Sequence, residues 1–217
     1  FRPKDIVSGD FYWTYHSEHL TYVALADCTG HGVPGGFMSM IGNTLLNQLV
    51  IEYQMTNPAK ILEELNRSIR KALRQNEDSA PSYAGMDVAF CMIDREKQKL
   101  FFAGAKRPLY YFKGNEFEKI AGDPRSIGGY QREEDRVFSL NSIDLDEPVT
   151  VYLFTDGYTD QLDLTERKYG VAKFKEYLAD IHGLPMQRQQ DLLTSSHEQF
   201  RGENEQIDDI TIIGLLL

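Results

Sequence analysis

The chain predicts an α+β fold, specifically an αββα sandwich of two antiparallel sheets flanked by helix pairs. Three observations lead there. The elements run ββαα, then several strands, then αα and a last strand, an order that lacks the βαβα alternation of a parallel sheet. Helical segments carry apolar stripes at spacings of three and four, which need a sheet face to cover them. And 217 residues, 41% hydrophobic and 26% charged, suffice for one sizeable core, which two sheets packed face to face with helices outside would form.

The opening hairpin is read as strands 6–15 and 20–27 joined by His16-Ser17-Glu18-His19. Phe37, Ile41, Leu45, Leu46, Leu49, Val50 and Tyr53 mark a first helix. Asn57 as N-cap and Pro58 in the first turn start a second, with Ile61, Leu62, Leu65, Ile69 and Leu73 on its buried face. Short strands rich in β-branched and aromatic residues follow at 88–93, 99–104, 109–112, 117–120, 136–140 and 149–154. Within that run the Gly- and charge-rich stretch 122–135 reads as a mobile loop, a candidate flap. Val171, Phe174, Leu178 and Ile181 define a third helix, and a fourth begins near Pro185 and carries Leu192, Leu193 and Phe200. The apolar segment 210–217 closes the chain as a strand.

A formal charge of −10 excludes a general nucleic-acid surface, which would need a basic stripe. The longest apolar runs are too short to cross a bilayer and no signal peptide opens the chain, so the expectation is a domain with no membrane insertion of its own, in the cytoplasm. Cys28 and Cys91 form no disulfide framework and are expected as free thiols in a reducing compartment. The first residue is Phe1, so the expectation is a single domain over 1–217 excised from a longer protein.

Four short acidic motifs border apolar segments: Ser8-Gly9-Asp10, Ala26-Asp27-Cys28-Thr29-Gly30-His31-Gly32, Thr155-Asp156-Gly157 and Asp208-Asp209-Ile210-Thr211. Carboxylates gathered away from water repel one another and are costly to ionise, so several strands ending in aspartate point to a hard divalent cation. Asp27 with the carbonyl of Cys28, exposed by a sharp turn through Gly30 and Gly32, would supply half a coordination shell, against the alternative of a strand-to-helix turn in which Asp27 or Thr29 is only a cap. Adjacent Asp208 and Asp209 would raise each other's pKa unless something positive lay between them. Two cations sharing a carboxylate and a water would depress that water's pKa, and the hydroxide so formed would attack phosphorus in line.

Other motifs have weaker chemical claims. Gly30-His31-Gly32-Val33-Pro34-Gly35 matches G-x-G-x-x-G, yet the helix after it leads to another helix and Asp27 would repel a pyrophosphate, so a dinucleotide site is disfavoured. No Cys-x5-Arg loop or G-x-S-x-G elbow is present. Lys106 and Arg107, and also Arg2 and Lys4, are candidates to grip a phosphoryl group, against the alternative that they are simply solvated. Asp87 is either a structural carboxylate or a partner to a ligand, Asp160 and Asp163 read as helix or turn residues, and His31 is either an acid or a surface residue.

Taken in order, the four acidic motifs resemble the SpoIIE-like branch of the metal-dependent PPM (PP2C-type) protein serine/threonine phosphatases, over nearly the whole chain from about Asp5. The resemblance implies an αββα sandwich, two Mn²⁺ or Mg²⁺ ions, and hydrolysis of phosphoserine or phosphothreonine on a protein. By position it implies Asp27 as the bridging carboxylate, the Cys28 carbonyl as a ligand, Asp10, Asp156 and Asp208 as further ligands, and Asp209 where many relatives have asparagine. Asp27 and Asp156 would act catalytically through metal-bound water. Gly104-Ala105-Lys106-Arg107-Pro108 stands where the family usually has Gly-His-x-Pro. The implied partner is a phosphorylated regulatory protein, with the domain serving as output of a sensor that can be membrane-anchored, and a homodimer left open. The rival reading is a non-catalytic docking module on the same fold; a two-metal nuclease is disfavoured by the charge balance.

Overall fold

The computed structural model describes residues 1–30, 32–75, 83–133 and 135–217. Its first sheet is built from β1 (Phe11–His16), β2 (Leu20–Cys28), β3 (Gly85–Asp94), β4 (Lys99–Ala105) and β8 (Asn141–Asp144), in the spatial order β1-β2-β3-β4-β8, with the short β7 (Ile127–Gly128) paired to β3. The second sheet runs β10 (Ile212–Leu216), β9 (Val149–Phe154), β5 (Leu109–Lys113), β6 (Glu116–Ile120). Every strand pairing is antiparallel. Helices α1 (Gly32–Leu46, continued by a wider turn over Asn47–Glu52) and α2 (Pro58–Ala72) cover the first sheet; α4 (Val171–Ile181) and α5 (Met186–Arg201) cover the second, and α3 (Gly157–Asp160) is a single turn after β9.

Strand alternation builds the layers. On β2, Tyr22, Ala24 and Ala26 face the α1/α2 layer while Val23 and Leu25 face the other sheet; on β3, Val88, Phe90 and Met92 divide in the same way from Ala89, Cys91 and Ile93. Across the sandwich these meet Val149, Val151 and Leu153 of β9, whose alternate residues Tyr152 and Phe154 pack against Phe174 and Leu178 of α4. The period of two thus produces three apolar layers from strands buried on both faces. The expected αββα sandwich is the observed fold. Asn57 caps α2 by accepting from the Lys60 N–H, with Pro58 in the first turn, as the sequence predicts.

Several local expectations need correction. Residues 6–10 are not strand; they form the irregular entry to β1, held by a buried aspartate described below. Phe37 and Tyr53 are exposed, because α1 meets the sheet through Met38, Gly42 and Leu46, and Gly42 lies so close to Phe11 and Met86 that a Cβ there would approach within 2.8 Å of both. Residues 136–140 form no strand. Arg136 instead turns inward, donating to the carbonyls of Ser126, Gly128 and Tyr130 and to Glu133, so that the stretch expected as a free flap is tied down by one buried guanidinium and by the β3–β7 pairing. Both cysteines are buried free thiols. Among the described residues, no helix is long and apolar enough to cross a membrane.

Candidate metal centre

The acidic motifs meet at one end of the sandwich because the strands carrying them are neighbours. Asp27 is the penultimate residue of β2 and lies opposite Asp87 of β3. Asp156 follows β9, and Asp208 precedes β10, the strand paired with β9. Gly157 lets those last two loops touch: a Cβ there would fall 2.0 Å from the Asp209 carbonyl. Gly30 and Gly32, with φ of 86° and 64°, supply the left-handed turn expected after β2. The result is a polar cleft of about 280 Å³ lined by Asp27, the Cys28–Gly30 turn, Asp87, Lys106, Arg107, Ser126, Asp156 and Asp208.

A single guanidinium holds the centre of this cleft. Arg107 Nη2 lies 2.8 Å from Asp27 Oδ2, 2.8 Å from Asp156 Oδ2 and 3.5 Å from Asp87 Oδ2. Lys106 Nζ approaches Asp87 Oδ1 at 3.5 Å, and the Ser126 hydroxyl donates to the same oxygen at 2.6 Å. Lys106 adopts a left-handed φ of 57°, and its N–H donates to the Asp123 carbonyl. The β4–β5 turn is thereby braced by the segment after β6.

Asp10 sits behind the cleft, 4% exposed, with Oδ2 accepting from the hydroxyls of Thr155 (2.7 Å) and Thr211 (2.8 Å). Burial pushes its pKa up to about 6, against the lowering effect of the two hydroxyls. Burial also raises Asp27, opposed by Arg107 and reinforced by the charges of Asp156, Asp10 and Asp208; Asp208 is raised by burial as well. Burial drives the Cys28 thiol far up, so its side chain stays protonated and only its carbonyl is a hard donor.

The donor set is therefore all oxygen and strongly acidic, the chemistry that suits Mg²⁺ or Mn²⁺ rather than a soft ion. Among the described residues, no three acidic, His or Cys groups are gathered tightly enough as they stand to hold an ion. Asp27 and Asp156 converge on Arg107 instead, so their negative charge is balanced there by that guanidinium.

Of the predicted site residues, Asp27, Cys28, Asp156, Asp208, Lys106 and Arg107 line the cleft and Asp10 lies behind it. Asp209 does not join them. Its Oδ1 accepts from the Lys4 N–H and its Oδ2 from the Gly9 N–H, each at 2.8 Å, so this carboxylate anchors the N-terminal segment. Lys4 enters that anchor through its backbone. Arg2 is likewise elsewhere, with its backbone paired to Ile210 and its guanidinium on Glu198, beside a separate cavity of about 420 Å³ under α5. Asp160 ends α3 and pairs with Lys168, and Asp163 closes a turn over Thr165 and Arg167, the helix and turn positions read for them from the sequence. His31 lies outside the described residues. Sequence reasoning missed Thr155, Thr211 and Ser126; the first two stand inside the acidic motifs and were legible as hydroxyls next to ligand candidates, whereas nothing marked Ser126.

Comparison with known proteins finds this fold in PP2C-type phosphatase domains. The pattern of the family described as Stage II sporulation protein E (SpoIIE) matches residues 17–216. The chain belongs to the SpoIIE family. The SiaA-PP2C domain of Pseudomonas aeruginosa superposes with a TM-score of 0.88 at 30% identity, covering 100% of this chain and 83% of that one. The PP2C domain of SpoIIE from Bacillus subtilis, solved with a fragment of its regulatory domain, gives a TM-score of 0.76 at 19% identity, over 98% of this chain and 60% of that one, a likeness of fold. Phosphoserine phosphatase RsbU of Bacillus subtilis is 27% identical over 160 residues, 73% of this chain but only 44% of RsbU. The chain thus spans less than half the length of that relative.

Proposed function

We propose that this chain is a metal-dependent phosphatase that removes phosphate from serine or threonine on a phosphorylated regulatory protein, using two Mn²⁺ or Mg²⁺ ions held in the acidic cleft. The observation that carries the reading is the convergence of Asp27, Asp156 and Asp208 in one cleft that also presents Lys106 and Arg107. Membership in the SpoIIE family, and likeness to proteins described as a phosphoserine phosphatase and as PP2C domains, support it. RsbX, similar in fold at 14% identity, was solved in complex with magnesium.

Asp27, Asp156, Asp208 and the Cys28 carbonyl would hold the ions, with Asp10 adding charge from behind. The bound ions would supply Lewis acidity and a water acidic enough to act as nucleophile near neutral pH. The Thr155 and Thr211 hydroxyls fix the Asp10 carboxylate. Lys106 and Arg107 would orient the phosphoryl group by donating to its oxygens, Arg107 being the better suited because a planar guanidinium matches two oxygens at once. Asp209 is left out of the ligand set, since both its oxygens already accept backbone N–H groups.

The test is phosphate release from phosphoserine and phosphothreonine peptides, with Mn²⁺, with Mg²⁺ and with EDTA, for wild type and Asp156→Asn. The expected result is turnover that needs the cation and falls on the order of 10³-fold in the variant, the scale of losing a group that stabilises transition-state charge. Metal-independent turnover, or none on any phosphopeptide, overturns the reading in favour of a docking module.

A further inference from the structure

Arg107 makes its two 2.8 Å contacts with Asp27 and Asp156, the carboxylates assigned above to the ions, and a longer 3.5 Å contact with Asp87, which is not. Its Nε is buried and, among the described residues, has no hydrogen-bond partner. The guanidinium is therefore strongly attracted but incompletely satisfied where it lies. A dication and a guanidinium at the same carboxylates repel each other, so one must yield. Asp87 stands directly across from Asp27 on the adjoining strand, and Ser126 and Lys106 already fix its Oδ1, leaving Oδ2 toward Arg107.

We infer that Arg107 is a displaceable counter-ion and that Asp87 is the positioning residue to which it transfers when cations occupy the cleft. The inference rests on the metal-dependent reading above. Held by Asp87, Arg107 stays at the edge of the cleft with its remaining N–H groups turned to a phosphoryl oxygen. Without Asp87 it would have no carboxylate to move to, and it would compete with the cations more strongly. One side chain thus serves the empty cleft as a counter-charge and the loaded cleft as a phosphate donor, and Asp87 sets the exchange between the two.

The test is a double-mutant cycle on Mn²⁺ affinity, read from the paramagnetic resonance of free Mn²⁺ and independent of turnover, for wild type, Arg107→Gln, Asp87→Asn and the double variant. Arg107→Gln should bind Mn²⁺ about tenfold more tightly, the scale of removing one competing cation in a partly screened site. Asp87→Asn should bind more weakly by several-fold, and in the Arg107→Gln background the same change should cost less than twofold. Equal effects of Asp87→Asn in both backgrounds would reduce Asp87 to a generic negative charge and overturn the inference, as would weaker Mn²⁺ binding by Arg107→Gln. A second readout uses the phosphothreonine peptide: both single variants should raise KM more than they lower kcat, and the double variant should add little to either. A structural defect would lower kcat and melting temperature together, and thermal unfolding of all four proteins separates that case. Failure of the phosphatase reading would appear differently, as wild-type protein without Mn²⁺-dependent turnover, whereas failure of this inference is an additive cycle in a protein that turns over.

Discussion

Asp208 and Asp209 are consecutive residues with opposite roles, and the contrast separates the two walls of the cleft. Asp208 lines the cavity and has its pKa raised by burial and by neighbouring carboxylates. Asp209, 3% exposed, gives one oxygen to the Lys4 N–H and the other to the Gly9 N–H. The wall beneath Asp209 is a closed structural assembly in which each acceptor has a fixed backbone donor. The opposite wall, carrying Asp27, Asp87 and Asp156, shares one guanidinium among three carboxylates, with Lys106 and the Ser126 hydroxyl on Asp87 alone. A carboxylate saturated by amides is a fastening, whereas Asp27 and Asp156 hold one guanidinium in common.

The largest stability effect should therefore fall on the fastening. Asp209→Ala strands one buried and one part-buried N–H that bonded a charged acceptor, and should cost about 2–4 kcal/mol, lowering the melting temperature by roughly 10 °C in a domain of this size. Asp209→Asn keeps one acceptor oxygen and should lose about half as much. Thermal unfolding in EDTA checks this. If both variants melt like wild type and only their Mn²⁺ affinity falls, Asp209 is a ligand after all and the contrast between the walls is wrong.

The second effect comes from Asp10, on the cleft side. Its pKa is raised from 3.8 to about 6 by burial, so the folded state holds its proton to higher pH than the unfolded chain does. The stability from this group is fully present below about pH 4 and is lost as pH rises through about 6, a change on the order of 2–3 kcal/mol. Asp10→Asn retains an oxygen for the Thr155 and Thr211 hydroxyls without the charge, so in EDTA it should be more stable than wild type at pH 7.5 and equal to it near pH 4.5. Urea unfolding at the two pH values measures the difference. An identical pH slope in both proteins would show that Asp10 carries no such strain. The same substitution should weaken Mn²⁺ binding, since the charge that costs stability is what attracts the ion.

Much of this was legible before coordinates. The αββα layering followed from element order, α2 from Asn57-Pro58, and Asp27, Asp156 and Asp208 from their places at strand ends. What stayed hidden was direction. Sequence adjacency does not say which of Asp208 and Asp209 faces the cleft, because neighbours on extended backbone point opposite ways. Nor does it say that Arg136 would turn inward to hold three carbonyls where a β-rich stretch suggested a strand, since that depends on how residues 126–130 fold back against β3. The basic candidates show the same limit. Arg2, Lys4, Lys106 and Arg107 were equivalent as charges, and only the β4–β5 turn brings the last two to the acidic end.

That distinction yields the smallest expected effect. The Arg2 guanidinium meets Glu198 at 3.1 Å with side chains 40% and 52% exposed, a pair whose attraction water largely screens. Its backbone does more, exchanging two hydrogen bonds with Ile210 at 2.8 and 2.9 Å that any side chain would preserve. Arg2→Ala should thus cost no more than about 0.5 kcal/mol. Its kcat/KM on a phosphothreonine peptide should stay within about twofold of wild type, against a clear rise in KM for Arg107→Gln, because a guanidinium that lines another cavity has no phosphoryl oxygen to reach. A KM for Arg2→Ala raised as far as that of Arg107→Gln would mean that substrate extends across the N-terminal segment to Arg2, and the functional surface would then include the wall assigned here to structure alone.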